Sequence, residues 1–228
     1  RMQLYIKYGD DETRHPIKLW RCLNYQTYHG DSIYVFALGK WYKVSKKYAN
    51  ELLDFVKQIE ESDSIFVDCD KAMNEAEYNE KLADSQSNYQ LLDANLVKSE
   101  LVRSEIEVCD VLTDAREFIH VKFRRSSATL SHLFAQGRVS AQLLRRDRSF
   151  RKNLRSKLAS LGLDRNLIPL ENNKLDPSNY TVTFALIEKK ERPFVDSLPF
   201  FSLINFRLTA ENLILLGYKV KVKKIKIL

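Results

Sequence analysis

Alternating apolar and polar residues between positions 106 and 123 predict a β-hairpin near the middle of the chain. Ile106, Val108 and Asp110 fall on one side of the first segment, a polar turn follows at 113–116, and the second segment alternates strictly over 117–123. Pairing across such a turn sets Asp110 beside His120 and Lys122. The pattern therefore predicts an acid, an imidazole and an amine on neighbouring strands.

Apolar periodicity elsewhere predicts a mixture of helices and strands. Before the hairpin it predicts a β-meander over 17–44, helices over 48–61 and 71–85, and strands over 65–67, 89–93 and 96–102. After the hairpin it predicts a helix capped by Thr129 or Ser131 with a bend at Gly137, a helix over 147–161, a helix over 208–216, and strands over 180–188 and 218–228, the last with a bulge or at an edge. This order predicts an α/β (α+β) fold in which helices flank a mixed central sheet. Residues 1–47 are interpreted as the tail of an upstream region, and 48–228 as the α/β domain.

Charge is distributed unevenly along the 228 residues, whose net charge is +7. Residues 51–114 contain seventeen acids and five bases, whereas 115–158 contain twelve bases and two acids. An enzyme that acts on a polyanion would use such a basic block, because Lys and Arg displace the counterions of phosphates. A solvated helix face accounts for the same charges without any function.

Apolar length and cysteine usage restrict the location of the protein. No segment has the apolar length that spans a bilayer, and no secretory signal is visible. Cys22, Cys69 and Cys109 lack metal-type spacing, which favours reduced thiols and a cytoplasmic protein without membrane contact.

The spacing Asp110-x9-His120-x-Lys122 resembles that of the PD-(D/E)xK nuclease superfamily. That resemblance implies a restriction-endonuclease-like core with an acid on the second strand, (D/E)xK on the third, an acid on the preceding helix and a glutamine on the following one. It implies Glu77, Asp110 and His120 as ligands of a divalent ion (Mg²⁺ or Mn²⁺), Lys122 as the lysine that places the water, and Gln136 as the helix glutamine. His120 departs from the pattern, because the superfamily has Asp or Glu there and imidazole suits Mn²⁺ better than Mg²⁺.

A second resemblance covers nearly the whole chain. The segments GKWYKV (39–44), IEVCDVL (106–112), FIHVK (118–122), SSATLSHLFAQGRVSAQLL (126–144) and LPFFSLINF (198–206) resemble a sporadically distributed bacterial family of unknown function, whose patchy occurrence is similar to that of mobile or phage-defence genes. Residues next to the hairpin, and the basic helix end, are interpreted as contacts to phosphate or nucleic acid: Arg124, Arg125, Ser126, Ser127, Ser131, His132, Gln136, Arg145 and Arg146.

The first functional hypothesis is a metal-dependent endonuclease that acts on DNA, with RNA left open as substrate. One alternative is a metal-independent phosphodiesterase in which His120 of the His-x-Lys pair is a covalent nucleophile. Another is a non-catalytic nucleic-acid-binding module on the same fold. His120 also fits a core histidine bonded to Asp110, and Trp20 and Trp41 fit either packing or base stacking. A homo-oligomer is left open.

Overall fold

The computed structural model describes residues 3–6, 15–18, 20, 23, 25–30, 32–37, 39–102, 105–172 and 175–228. The chain divides into two compact units, Arg1–Asp54 and Phe55–Leu228. The division falls inside the first helix, α1 (Lys46–Lys57), rather than ahead of it.

Two small antiparallel sheets make up the strands of the first unit. Strand β1 (Gln3–Ile6) pairs with β2 (His15–Lys18), and β3 (Tyr25–His29), β4 (Ser32–Ala37) and β5 (Lys40–Val44) form a three-stranded sheet in that order. Gly30 and Gly39 have φ angles of +54° and +78° in the two connecting turns, a conformation that glycine adopts without strain. The predicted meander is confirmed over 32–44, whereas the strand expected over 17–28 is divided between β2 and β3, and residues 19, 21, 22 and 24 lie outside the described residues.

The second unit contains both helices and strands. The first half contains α2 (Glu75–Asp84), β6 (Tyr89–Leu91), β7 (Leu96–Val97), β8 (Ile106–Glu107), β9 (Val111–Thr113) and β10 (Glu117–Phe123). The second half contains α3 (Ser127–Arg146), α4 (Arg148–Ser160), β11 (Thr181–Glu188), α5 (Phe200–Leu215) and β12 (Lys219–Lys226).

A five-stranded mixed sheet in the order β12-β11-β10-β9-β6 forms the centre of the second unit. Strands β6, β9 and β10 are antiparallel neighbours, whereas β10, β11 and β12 run parallel. Helices α3 and α4 connect β10 to β11, and α5 connects β11 to β12, because parallel neighbours need a long crossover. The predicted α/β (α+β) class, with helices flanking a mixed sheet, is confirmed.

Apolar side chains cover both faces of this sheet. On one face α2 packs on the strands through a buried cluster that includes Tyr78, Leu82, Ile119, Val121 and Ala185. On the other face the rings of Phe134 in α3 and Phe206 in α5 lie 5.4 and 5.9 Å from that of Phe184. A Cβ atom on Gly137 would lie 2.6 Å from Cε1 of Phe184. Gly137 therefore lets α3 approach the sheet, and the bend expected there is absent from the helix.

Two predicted helix ends differ in the structure. Helix α5 begins at Phe200 rather than near residue 208, because Phe200, Leu203, Phe206, Ala210 and Leu213 are buried at helical spacing within an otherwise apolar run. Helix α3 is capped by Ser126 rather than by Thr129 or Ser131, since the Ser126 side chain accepts the Thr129 N–H.

Two predicted strands also differ from expectation. No strand forms over 65–67. Isolated β-bridges on either side of this segment join Glu61 to Val222 of β12 and Cys69 to Ile227, just after β12. Strand β12 lies at the edge of the sheet, as expected, but its pairing with β11 runs without a break, so the bulge is absent. None of the described helices is long and apolar enough to cross a membrane, in agreement with the sequence.

Candidate active site

Asp110 is fixed where the predicted hairpin enters the sheet. Its N–H donates to the Ile119 carbonyl at 2.9 Å, and its own carbonyl accepts the N–H groups of Leu92 and Asp93 at 2.8 and 3.0 Å. Its side-chain Oδ2 accepts the Val121 N–H at 2.6 Å. These bonds hold the Asp110 carboxylate against β10 and bring the turn after β6 alongside it.

Three carboxylates meet at this position and form what we call the acidic cluster: Asp93, Glu107 and Asp110. Oxygens of all three lie within 4.8 Å of one another. Asp110 is 4% exposed, whereas the other two are half-buried. One carboxylate of the cluster is therefore buried, and the other two are accessible to water.

Neighbouring donors orient the two outer carboxylates. Asn79 of α2 donates to Asp93 at 3.0 Å, and the Ala94 N–H donates to Oε1 of Glu107 at 2.7 Å. The Gln136 amide of α3 donates to the other oxygen of Glu107. Helices from both faces of the sheet thus contribute to the positions of the acids.

Crowding changes the proton affinity of the acidic cluster. Burial raises the pKa of Asp110 well above its usual value, and the nearby Glu107 and Asp93 carboxylates raise it further, although the Val121 N–H opposes them. Burial and Asp93 also raise the pKa of Glu107, against the opposing effects of the Ala94 N–H and Lys122. The fold holds these acids together at an electrostatic cost that a cation would relieve.

Lys122 lies next to the acidic cluster and is anchored by an acid of α2. Its Nζ pairs with the Glu75 carboxylate, whose second oxygen accepts the Phe123 N–H at 3.4 Å. The lysine side chain is 25% exposed, so its amine is held in place but remains accessible.

Two surface hollows flank the acids. One, of about 410 Å³, is lined by Asn74, Glu75, Ala76, Asp93, Lys122, Phe123, Arg125 and Thr129. The other, of about 330 Å³, is lined by Leu96, Glu105, Ile106, Glu107, His132, Ala135, Gln136 and Val139. Because each hollow contains one outer acid of the cluster, solvent molecules have access to the cluster from two sides.

His120 does not join the acids, although strand pairing places it opposite Asp110. Its side chain is fully buried, its ring stacks on Phe184 with centroids 6.0 Å apart, and Gly137 lies against its edge. Neither ring nitrogen has a hydrogen-bond partner among the described residues. Burial lowers the pKa of His120 to about 3, so the imidazole is neutral.

Glu77 is also placed away from the role expected of it. The side chain is exposed and accepts the Asn74 N–H at 2.7 Å, completing the capping box at the start of α2. Glu75, two residues earlier, is the acid of that helix that reaches Lys122. The acids that lie close to Asp110 are thus Asp93 and Glu107, and neither His120 nor Glu77 is among them.

The predicted phosphate contacts separate into two groups. Arg125 lines the hollow that contains Lys122, and His132 and Gln136 line the other. Arg145 and Arg146 are exposed in the last turn of α3, about 27 Å along the helix axis from its start. The last two therefore do not belong to the site.

The remaining predicted contacts have structural partners. Arg124 donates to the Ser197 carbonyl at 3.0 Å and lies 3.7 Å from Glu188. Ser126 caps α3, and the Ser131 hydroxyl donates to the Ser127 carbonyl at 2.9 Å. These contacts give the arginine and the serines a structural role that does not require a bound ligand.

Sequence patterns did not indicate three members of the site: Glu75, Asp93 and Glu107. Strand alternation placed Glu107 on the opposite side from Asp110, but 108–110 are not in a strand and β8 pairs with β7 instead. Asp93 follows β6 in a turn, where no periodicity constrains a side chain. The available signal was the excess of acids between positions 75 and 110, where nine acids stand against three bases.

Comparison with known proteins gives one match. Residues 1–226 match the model of a protein family described as a family of unknown function (DUF6119). No curated protein and no solved structure matches the chain.

Proposed function

The chain belongs to DUF6119, a family of unknown function, and we propose that it is a metal-dependent nuclease that hydrolyses phosphodiester bonds in DNA. One observation carries the proposal: three carboxylates converge within 4.8 Å beside an accessible, anchored lysine. Burial of acids at this spacing is costly unless they bind something positive.

The donor set suits a hard divalent cation. Carboxylate oxygens are the ligands that Mg²⁺ and Mn²⁺ prefer, and the acidic cluster offers such oxygens from three residues. His120 is sealed away, so the preference for Mn²⁺ expected from an imidazole ligand does not apply to this set. Bound there, the ion would offset charge on the phosphoryl oxygens and lower the pKa of a coordinated water.

The residues of the chain have separable tasks in this proposal. Asp93, Glu107 and Asp110 hold the cation. Lys122, positioned by Glu75, orients the attacking water beside the phosphorus. Attack forms a bond from the water oxygen to phosphorus and breaks the bond to the leaving oxygen, which yields a phosphomonoester and a hydroxyl group.

The order of elements supports the resemblance to the PD-(D/E)xK superfamily. A helix (α2), three antiparallel strands of the central sheet (β6, β9, β10), a helix (α3) and a parallel strand (β11) occur in that order, with β7 and β8 inserted before β9 and α4 before β11. Asp110 directly precedes β9, Lys122 is on β10 and Gln136 is on α3. The acid expected on the third strand is replaced by His120. Glu107 offers the missing carboxylate from the neighbouring β8, held by Gln136.

Nucleic acid is the substrate that the charge distribution favours. The net charge of +7 suits a polyanion. Arg125 lines the hollow beside Lys122, at the edge of α3, whose N-terminus favours phosphate.

Cleavage of supercoiled and linear DNA, with single-stranded RNA as a parallel substrate, tests the proposal in Mg²⁺, in Mn²⁺ and in EDTA. We expect cleavage with either metal, none in EDTA, and loss of at least about 100-fold in Asp110→Asn and Lys122→Met. Glu80→Gln, which removes an exposed acid from α2, is the matched control and should cleave like the natural sequence. Cleavage that survives both site substitutions contradicts the proposal.

A non-catalytic binding module is the second candidate, and the departure at His120 favours it. It predicts salt-dependent DNA binding without product under any divalent ion. The metal-independent His-x-Lys mechanism requires an accessible imidazole, and His120 is 0% exposed. Cleavage that continues in EDTA would revive that mechanism.

A further inference from the structure

One face of the three-stranded sheet in the first unit carries a row of aromatic rings. Tyr25 on β3, Phe36 on β4 and Trp41 on β5 are paired across the strands. In the adjoining row Tyr34 is paired with Lys43. We call these five residues the aromatic face.

The rings of the aromatic face contact one another yet remain open to solvent. Trp41 lies 5.3 Å from Phe36 and 6.2 Å from Tyr25, centroid to centroid. Tyr25 is 59% exposed and Trp41 is 55% exposed. Large neighbouring rings that stay half in water mark a surface built for contact.

The opposite face of the same sheet is covered only in part, since Tyr28 and Tyr42 on that face are 68% and 47% exposed. Val35 is 4% exposed, and Ile33 and Val44 share a hollow with Ala49 and Leu53 of α1. The small sheet therefore obtains its core from α1 on one side. Among the described residues of the unit, Tyr25 and Trp41 on the other side stay more than half exposed.

Charge on the aromatic face selects one chemical class of partner. The Lys43 amine lies 6.0 Å from the centre of the Tyr34 ring, and strands β3, β4 and β5 contain no Asp or Glu. A partner with both flat rings and negative charge matches this surface. Neutral oligosaccharides and apolar protein surfaces offer no negative charge to Lys43.

We propose that the aromatic face binds single-stranded nucleic acid, with unpaired bases stacked on Trp41 and Tyr25 and the backbone phosphate near Lys43. Aromatic side chains bind bases of any sequence in this way, and a lysine adds a salt-dependent contribution. This binding is independent of the acidic cluster and of any cleavage there.

The two tryptophans of the chain provide a local readout, since Trp20 and Trp41 both belong to the first unit. In a Trp20→Phe background, Trp41 is the sole tryptophan. Its fluorescence would be titrated with an oligothymidylate in EDTA, so that the acidic cluster binds no metal. An abasic phosphodiester of equal length and a duplex of the same length are the comparison ligands.

We expect saturable quenching by the oligothymidylate and at least about 10-fold weaker binding of the abasic strand and the duplex. Tyr25→Ala should weaken binding about 5- to 150-fold with Trp41 still present as reporter. Lys43→Gln should reduce the slope of log K against log salt by about 0.7. The matched control is Tyr42→Ala, because Tyr42 is 47% exposed on β5 but faces the other side of the sheet.

Several outcomes would overturn the proposal while leaving the nuclease proposal intact. The first is the absence of quenching, and the second is equal quenching by the abasic strand. The third is an equal loss of affinity for oligothymidylate in Tyr25→Ala and Tyr42→Ala, with both variants folded by far-UV circular dichroism. Conversely, Glu80→Gln, which lies outside the aromatic face and the acidic cluster, should bind oligothymidylate with unchanged affinity. Concentration-dependent self-association that Tyr25→Ala abolishes would instead assign the face to a second copy of the chain.

Discussion

Asp110→Asn should stabilise the metal-free protein while removing its response to divalent ions. Asparagine keeps an oxygen for the Val121 N–H but carries no charge towards Glu107 and Asp93. The folded pKa of Asp110 is raised above its unfolded value, so the folded state binds more protons in the interval between the two. Stability of the natural sequence therefore falls as pH rises through that interval, and the advantage of the variant grows.

The spacing of the acids sets the size of the effect. At 4.8 Å, the bound on their oxygen separations, two full charges repel by about 3.5 kcal/mol at an effective dielectric constant of about 20. Protonation of Asp110 relieves part of this repulsion in the natural sequence. We therefore expect the free energy of unfolding of Asp110→Asn to exceed that of the natural sequence by about 1–3 kcal/mol near pH 8. For a unit of this size the gain corresponds to a rise in Tm of about 2–10 °C.

Thermal unfolding in EDTA from about pH 5 to about pH 8 measures this difference, with Glu80→Gln as the control for loss of one acid. Adding Mn²⁺ at each pH should stabilise the natural sequence and leave Asp110→Asn nearly unchanged. A variant that is less stable than the natural sequence at about pH 8 in EDTA would refute the reasoning, as would a difference that does not change with pH.

Three further outcomes follow from the same geometry. Mg²⁺ or Mn²⁺ at about 100 times its Kd should stabilise the natural sequence by about 2.7 kcal/mol. Binding should be weaker at lower pH, because the ligands must be deprotonated. Calorimetric titration measures this affinity, and an affinity that does not change at acid pH would contradict the prediction. His120→Leu should keep the metal response. Because the pKa of His120 is lowered to about 3, the natural sequence loses stability as pH falls from about 6.5, and the variant should lose less in chemical denaturation. Gly137→Ala should destabilise by about 1–3 kcal/mol, since the new Cβ would lie 2.6 Å from Phe184; a more stable variant would show that α3 can move away.

Local pattern was enough to predict the centre of the fold. Alternation over 117–123 and the polar turn before it gave the hairpin, and the structure pairs Ile119 with Val111 and Phe118 with Leu112. Asp110, Lys122 and Gln136 lie in one region because Asp110 directly precedes β9, Lys122 is on the paired strand β10, and Gln136 is on the helix that follows. Each of these placements depends on contacts close in sequence.

The rest of the site depends on contacts that no local pattern encodes. Glu75 rather than Glu77 reaches Lys122 because the cap at Asn74 sets the phase of α2 and uses Glu77 itself. Asp93 reaches the cluster because backbone bonds tie the turn after β6 to the Asp110 carbonyl. The position of Asp93 is a consequence of tertiary packing, about which strand periodicity carries no information. The role of Glu77 follows instead from a local capping box, which helix periodicity alone does not reveal.

His120 shows how an ionisable residue at a motif position can serve packing instead. Its neighbours on the same face are Phe184 and Gly137, and the contact of α3 at Gly137 leaves no room for water at the ring. A carboxylate at this position would be buried without a partner and would cost several kcal/mol, whereas a neutral imidazole costs less. Glu107, outside this contact and bonded to Gln136, carries its charge where solvent reaches it. In the proposed metal site the corresponding carboxylate is that of Glu107 on β8, so a search for an acid two residues before Lys122 does not find it.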